Sequence, residues 1–549
     1  MREFVQAADA VAKTASKNEK IRIISELLRT LPLADAASAA QFLTGRAFAQ
    51  SDERVTGVGG SALVAAVVEA AGRSGENLGS VYRKHGDLGD MAEEMLRERN
   101  REGDLPLRAV GALFDNLSVA RSQQQKANLL RTAFAGASAG DIKYVVKILT
   151  GDLRIGSKES LVEEGISGAF AQSSDSVRRA NLLLGDVGET LRLASANRLN
   201  EAKVRLFHPL GFMLASPVDA AEELFKEGDS PALLVEEKYD GIRAQVHKGA
   251  SGRVKIFSRT RDEVIEFPEL YGPLSRLPGE IILDGEILGW RDARPLPFTE
   301  LQKRLGRKKV DLWMQYDIPV RFLAFDALLQ DEQLLLDVPL RERKARLQQI
   351  MSAIADDRLA VTTSRLCSSA PEVEAAFQAS LSAGHEGIVA KDMESTYSPG
   401  KRGQAWRKLK LPYATLDVAV TAAEFGHGKR HHVLSDVTFA VRDGERFLNI
   451  GKAYSGLTDE EIAENTKLFQ ATTLVDEGFR HIVQPQMVLE VAFNNIQRSK
   501  RHESGFALRF PRILRIRKDK TIAEIDTLAR VEELFAKQVQ LQKPTERDK

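Results

Sequence analysis

Up to about residue 205 the apolar positions recur at three- and four-residue intervals. In "GDIKYVVKILTGDLRIG", Ile142, Val145, Val146 and Leu149 share one face, and Gly151 falls where a helix C-terminus is expected. "NEKIRIISELLRTL" carries the same period, and no fixed-length repeat is evident, so helices are predicted without a solenoid. Near "FHPLGFMLASPVDAAEEL" prolines and glycine break this rhythm, and from Leu233 short β-branched and aromatic runs dominate. "RVKIFSRT", "GEIILDGEILGW", "VRFLAFDALL" and "EGIVAKD" are bounded by Gly, Pro or Asp, with helical stretches such as "PLRERKARLQQIM" between them. After "WRKLKLPYATLD" strands continue with one interrupting helix near "TDEEIAENTKLF", as suits a small OB-fold barrel. The pattern therefore predicts an all-α domain over 1–205, an α+β domain over 206–412 and a β-barrel over 413–549. A helix from Thr521 is expected to fray into "QKPTERDK".

Composition changes this picture little. A chain of 549 residues exceeds one ordinary core, and 43% hydrophobic with 28% charged residues is ordinary for a folded protein. Net charge is +1, so no overall basic field announces nucleic acid, but 78 basic and 77 acidic residues can segregate onto different surfaces. Cys367 is the only cysteine, which excludes an intramolecular disulfide and a thiolate metal cluster. The longest apolar run, Ala62 to Val68, is too short for a membrane span and ends at Glu69. The N-terminal residues lack a signal-peptide apolar region, so cytoplasmic residence is expected.

Candidate chemistry begins at "EEKYDGIRAQVHK". Asp240-Gly241 is a hairpin-grade turn signal. Beyond it, alternation puts Ile242, Ala244 and Val246 on one strand face and Arg243, Gln245 and His247 on the other. Lys238 then stands at a strand-to-turn transition with Arg243 in reach of the same mouth; alone, such a lysine reads as a surface charge beside acids. In "LDGEI", Asp284 and Glu286 share a face of a strand whose flanks are apolar on both sides. Buried carboxylates need a cation, so either could bind Mg²⁺ or pair with Lys or Arg, and a structural ion pair is at least as good a reading of Asp284. "GHEGIVAKD" sets Glu386 and Lys391 at opposite ends of an apolar strand. "KRGQAWRKLK" gathers Lys401, Arg402, Arg407, Lys408 and Lys410 around Trp406. No Walker loop is present, and phosphate chemistry without one suggests covalent nucleotidyl transfer. His431-His432 reads as an exposed loop and Cys367 as a packed or partly exposed thiol.

"KYDGIR", "SRTRDEV", "LDGEI", "FLAFDALL", "EGIVAK", "WRKLK" and "RFPRILRIRKDK" stand in the order and spacing of the nucleotidyltransferase motifs of ATP-dependent DNA ligases. The chain resembles that family along essentially its whole length, and "GDLRIG" is similar to the three-domain, replicative type. The resemblance implies a helical DNA-binding domain, an adenylation domain and an OB-fold. It implies a ligase that seals 5′-phosphate/3′-hydroxyl nicks in duplex DNA with ATP and Mg²⁺, through a lysyl-AMP on Lys238 and a DNA-adenylate. Glu236 would meet the adenine amino group, Phe325 the adenine face, and Arg243 and Arg259 the ribose or phosphate. Glu286 and Glu386 would contact the sugar or Mg²⁺, while Arg402, Lys408 and Lys410 line the phosphate path. Arg517, Asp519 and Lys520 would orient pyrophosphate, with a hinge near Leu411 to Thr415. Arg154 and Lys158 in "GDLRIGSKES" would hold DNA phosphates; without the resemblance they read equally well as exposed cations on a helix–helix turn. A monomer is expected, and no recruitment motif for a protein partner is evident. Rival readings are an RNA ligase or capping guanylyltransferase, which share the lysine chemistry, and a non-catalytic DNA-binding clamp.

Overall fold

The helical period of the N-terminal region is realised, in a computed structural model, as successive helices from Arg2–Lys13 to Val187–Ser195. The structure describes residues 1–549 except 73–80, 83–84, 98–102, 226–231, 308–309, 411–413, 427–429, 431 and 542–549. Capping decides where several helices start. Ser138 accepts from the Asp141 amide while the Asp141 carboxylate accepts from the Ser138 amide, starting Ala139–Leu149. That helix stops at Thr150, and Gly151 takes the left-handed conformation (φ 81°) that a side chain would resist. Phe4, Phe42, Phe114 and Tyr144 meet edge to face at the centre of the helical core.

The chain divides into two compact units. One comprises Met1–Leu214, Gly241–Val361 and Glu394–Arg402; the other comprises Ala215–Asp240, Thr362–Met393 and Gly403–Lys549. The first unit adds to the helices a sheet ordered 254–258, 242–248, 281–291, 320–330 and 333–334, with 359–361 parallel to 320–330. The second carries a sheet ordered 214–218, 402–410, 387–392, 233–238 and 364–367. "KYDGIR" is therefore no hairpin: strand Leu233–Lys238 ends in one sheet and strand Ile242–Lys248 begins in the other. The tight turn has a local reason, since a Cβ on Gly241 would come within 2.5 Å of the Ile287 carbonyl.

The C-terminal region is strand-rich with a curled sheet of the OB type. Strand Ala414–Phe425 pairs with Val488–Phe493 through its first half and with Arg480–Val483 through its last residues. A register shift between Val420 and Ala422 bends it between the two. Helix Asp459–Ala471 interrupts the strands as its pattern predicts. The terminal helix begins at Leu528, later than expected, because Thr521 and Glu524 cap a short 3-10 turn first. "QKPTERDK" and Leu411–Tyr413 of the expected hinge lie outside the described residues. Among the described residues no helix is long and apolar enough to cross a membrane.

Candidate active site

Register gathers one set of candidate residues. Lys238 stands opposite Gly387, and Gly387 stands opposite Lys410. Two residues along, Glu236 faces Val389, which faces Lys408. Directly opposed residues share a sheet face, so Glu236, Lys238, Lys408 and Lys410 project from one face around Gly387 and Val389. Only glycine fits at 387: its φ is 142°, and a Cβ there would lie 2.2 Å from the Leu409 carbonyl. Lys238, a quarter exposed, makes an ion pair with Glu386. Glu236 is buried and pairs with Lys391 at 2.5 Å, and the Lys391 ammonium lies 4.1 Å from the Trp406 ring centroid. Lys391 thus ties Glu236 to the sheet, a task its place at the end of "EGIVAK" marks only once the register is known. Half-buried Asp240 has its carboxyl pushed up to about 6, by burial first and by Glu386 next, while Arg509 lies 3.8 Å away.

The other sheet carries the second set. Arg243 makes a two-pronged pair with Asp284, at 3.1 and 2.7 Å, and donates to the Met213 carbonyl. Asp284 is fully buried and also accepts from Tyr397 Oη at 2.6 Å, so the ion-pair reading holds for it. The Arg243 guanidinium lies 5.2 Å from the Phe325 centroid and 5.0 Å from that of Phe212. Glu286, directly opposite Arg243, is only half-buried, so part of it faces solvent. Arg259 and Arg402 are exposed. Among the described residues no three His, Cys, Asp or Glu are grouped to hold a metal ion. A hard cation carried in by nucleotide phosphates needs only one or two protein carboxylates, which fits Glu286 or Glu386.

In the C-terminal region Arg517 donates to Asp417 at 3.0 and 3.1 Å and to Asp519, while Lys520 donates to Asp417 at 2.6 Å. In the helical region the "GDLRIG" loop is anchored by buried Leu153 and Ile155. Lys20 Nζ donates to the Ile155 carbonyl at 2.9 Å, and Ser157 Oγ to that of Leu43. Arg154 is exposed, with φ 52°, and pairs with Asp87 and Asp152 at 3.6 Å. Lys158, also exposed, stands at the N-terminal boundary of helix Glu159–Phe170 without a side-chain capping bond. Cys367 is buried, and burial pushes its thiol up. His431 lies outside the described residues.

Sequence reasoning passed over Glu237, Tyr239 and His385, which form a hydrogen-bonded cluster beside the Lys238–Glu386 pair. The one available signal was an acid, a phenol and an imidazole placed next to Lys238 and Glu386.

Comparison with known proteins gives a consistent family. The ATP dependent DNA ligase domain matches residues 212–410, the DNA ligase N terminus residues 1–167, and the ATP dependent DNA ligase C terminal region residues 430–520. A probable DNA ligase of Koribacter versatilis is 47% identical over 561 residues, spanning 98% of this chain and 97% of its own length. The DNA ligase of Archaeoglobus fulgidus is 32% identical, spanning 98% of this chain and 99% of its own. A solved structure named Pmar-Lig_PreS3 matches 94% of this chain and 99% of its own with a TM-score of 0.59 at 15% identity, a likeness of fold.

Proposed function

Since this chain belongs to the ATP-dependent DNA ligase family, we propose that Lys238 is the nucleophile of its nick-sealing reaction. The enzyme uses ATP and acts on nicked DNA. In the first step Lys238 Nζ loses its ammonium proton to solvent and bonds to the α-phosphorus of ATP, the bond to the bridging oxygen breaks, and pyrophosphate leaves. The adenylate then passes to the 5′-phosphate at the nick, freeing Nζ. The 3′-hydroxyl attacks that phosphate, and AMP leaves as the phosphodiester forms.

One observation carries this reading: a sheet face holds Lys238 beside Lys408 and Lys410, with Glu386 in an ion pair to its amine. Glu386 orients the amine, and the two lysines supply fixed positive charge for the phosphoryl oxygens. We assign Glu236, tethered by Lys391, to the adenine amino group and Phe325 to the adenine face. Arg243, bound to Asp284, backs the Phe325 ring and serves the ribose; Arg259 and Arg402 serve phosphates. Mg²⁺, held by Glu286 or Glu386, supplies further neutralisation of phosphoryl charge. Arg517 and Lys520 take the pyrophosphate, and Arg154 and Lys158 hold DNA phosphates. We take 1–205 as the DNA-binding domain, 206–412 as the adenylation domain and 413–549 as the OB-fold, on the change from helices to strands after Glu201 and the start of a separate sheet at Ala414. We infer a cytoplasmic monomer, where ATP and DNA occur together.

The test is transfer of label from α-labelled ATP, with the AMP adduct mapped by mass spectrometry. The parent takes label on Lys238, and Lys238→Ala takes none. Label retained by that variant, or mapped elsewhere, removes the assignment.

A further inference from the structure

Glu237 lies between two site residues, Tyr239 follows the nucleophile and His385 precedes its carboxylate partner. None has been given a role above. Alternation turns Glu237 to the sheet face opposite Lys238. There its carboxylate accepts from Tyr239 Oη at 2.6 Å and lies 3.3 Å from His385 Nε2. The two rings meet edge to face, with centroids 4.6 Å apart. Tyr239 is buried, and the His385 side chain is 7% exposed. The His385 hydrogen bond holds the Glu237 carboxyl below its ordinary range; burial opposes this and the Tyr239 bond adds to it.

One carboxylate therefore ties together two separate pieces of chain. One is the turn that follows Lys238; the other is the loop that leads from helix Ala370–Ser382 into strand Gly387–Asp392. The backbone closes the same junction, since the Glu386 amide donates to the Lys238 carbonyl at 2.9 Å. The loop is tight, with Gly384 left-handed (φ 84°) and the His385 amide bonded to the Ser380 carbonyl at 3.1 Å.

We propose that Glu237, Tyr239 and His385 are positioning residues that clamp the Lys238 and Glu386 segments together and so hold the Lys238 amine for in-line attack on ATP. None of the three touches the reacting atoms. The inference rests on the reading of Lys238 as nucleophile. Its physical basis is the steep dependence of attack on placement: a shift of about 1 Å costs roughly a hundredfold. The last step, attack of the 3′-hydroxyl on a DNA-adenylate, needs no lysine nucleophile, so loosening the clamp spares it.

The test compares the parent with Glu237→Leu, Glu237→Gln and Tyr239→Phe in single-turnover lysyl-AMP formation and in sealing of a pre-adenylated nick. Glu237→Leu, which strands both donors, is expected to slow adenylation at least about tenfold at saturating ATP, with KM for ATP changed less than about twofold. Tyr239→Phe, which removes one oxygen, slows it at least about threefold. Glu237→Gln keeps an acceptor oxygen and runs at least about threefold faster than Glu237→Leu. Sealing of the pre-adenylated nick stays within about twofold in all three. Adenylation slowed less than threefold in both Glu237→Leu and Tyr239→Phe overturns the clamp, as does parallel loss of sealing. Should Glu237→Leu not fold, Tyr239→Phe decides. Lys238→Ala runs beside them: label on that variant would sink the nucleophile reading, whereas an unlabelled Lys238→Ala with fast clamp variants sinks the clamp alone.

Discussion

At the scale of single residues, Asp284 is held at a cost that its partners offset. It is fully buried, and its charge is matched by both prongs of Arg243 and by the Tyr397 hydroxyl. Burial raises the Tyr397 phenol well above its ordinary range, and the Asp284 charge adds to that, so Tyr397 stays a donor at any working pH. Removing Arg243 leaves a buried carboxylate without its cation. Arg243→Ala is therefore expected to lose about 3–5 kcal/mol of stability, measured as a shift in denaturant unfolding. Arg243→Lys loses less but does not restore the parent, since an ammonium cannot reproduce the fork. An Arg243→Ala enzyme as stable as the parent would contradict the ion-pair account. The two acids of "LDGEI" look alike in sequence; their different burial separates them, and the same two strands set different residues opposite each, Gln245 and Asp326 for Asp284, Arg243 and Leu323 for Glu286.

At the scale of elements, the segment after the helical region is pinned to strand Ile242–Lys248 by side chains that alternation had placed on one face. The Phe207 amide donates to His247 Nδ1 at 3.0 Å, and the Leu210 amide to Gln245 Oε1 at 2.7 Å. His247 Nε2 lies 2.8 Å from the same Gln245 oxygen, so Nε2 carries the proton and Nδ1 accepts. A second proton on the ring would point at the Phe207 amide. Burial pushes His247 down to about 3, with a smaller contribution from His208. His208 itself is lowered to about 4, by burial first and then by Arg261, Arg205 and Arg46. Both folded values lie below the unfolded one, near ~6.5. The unfolded chain therefore binds more protons over this window, and stability rises with pH through it. It is lost as pH falls from about 6.5 toward 3. For His247 the loss between about pH 7 and about pH 5 is about 2 kcal/mol. His247→Gln is expected to remove that part of the slope in unfolding titrations, and an unchanged slope would refute the assignment. The alternation of Arg243, Gln245 and His247 was legible from the chain, as were the helices with clear caps and the strands bounded by turn residues. The partners were not, because polar residues on a buried face say only that bonds must exist. "DG" misled in the same way: it marks a turn, and only the neighbours of each strand decide whether the turn closes a hairpin.

At the scale of the whole molecule, the proposed reaction asks the C-terminal region for two cations that this structure shows otherwise engaged. Asp417 accepts from both Arg517 and Lys520, and Asp519 takes the other prong of Arg517. The short segment of the OB-type region thus stores its own positive charge against its own acids. For Arg517 and Lys520 to serve pyrophosphate they must exchange Asp417 for phosphate oxygens, which carry more charge and bond the guanidinium fork equally well. The exchange is useful only while ATP reacts, because no pyrophosphate leaves in later steps. Arg517→Ala and Lys520→Ala should therefore each slow lysyl-AMP formation by about a hundredfold, the scale of losing one fixed charge partner of a transition state. Sealing of a pre-adenylated nick should stay within about threefold of the parent, since AMP is then already on the DNA. Asp417→Asn separates the two uses of these cations: it weakens the hold on Lys520 and on one prong of Arg517, whose other prong stays on Asp519, so adenylation is retained while the thermal midpoint of the C-terminal region falls. Equal damage to both steps in Arg517→Ala would place Arg517 in the frame of the OB-type sheet and leave the pyrophosphate to other cations.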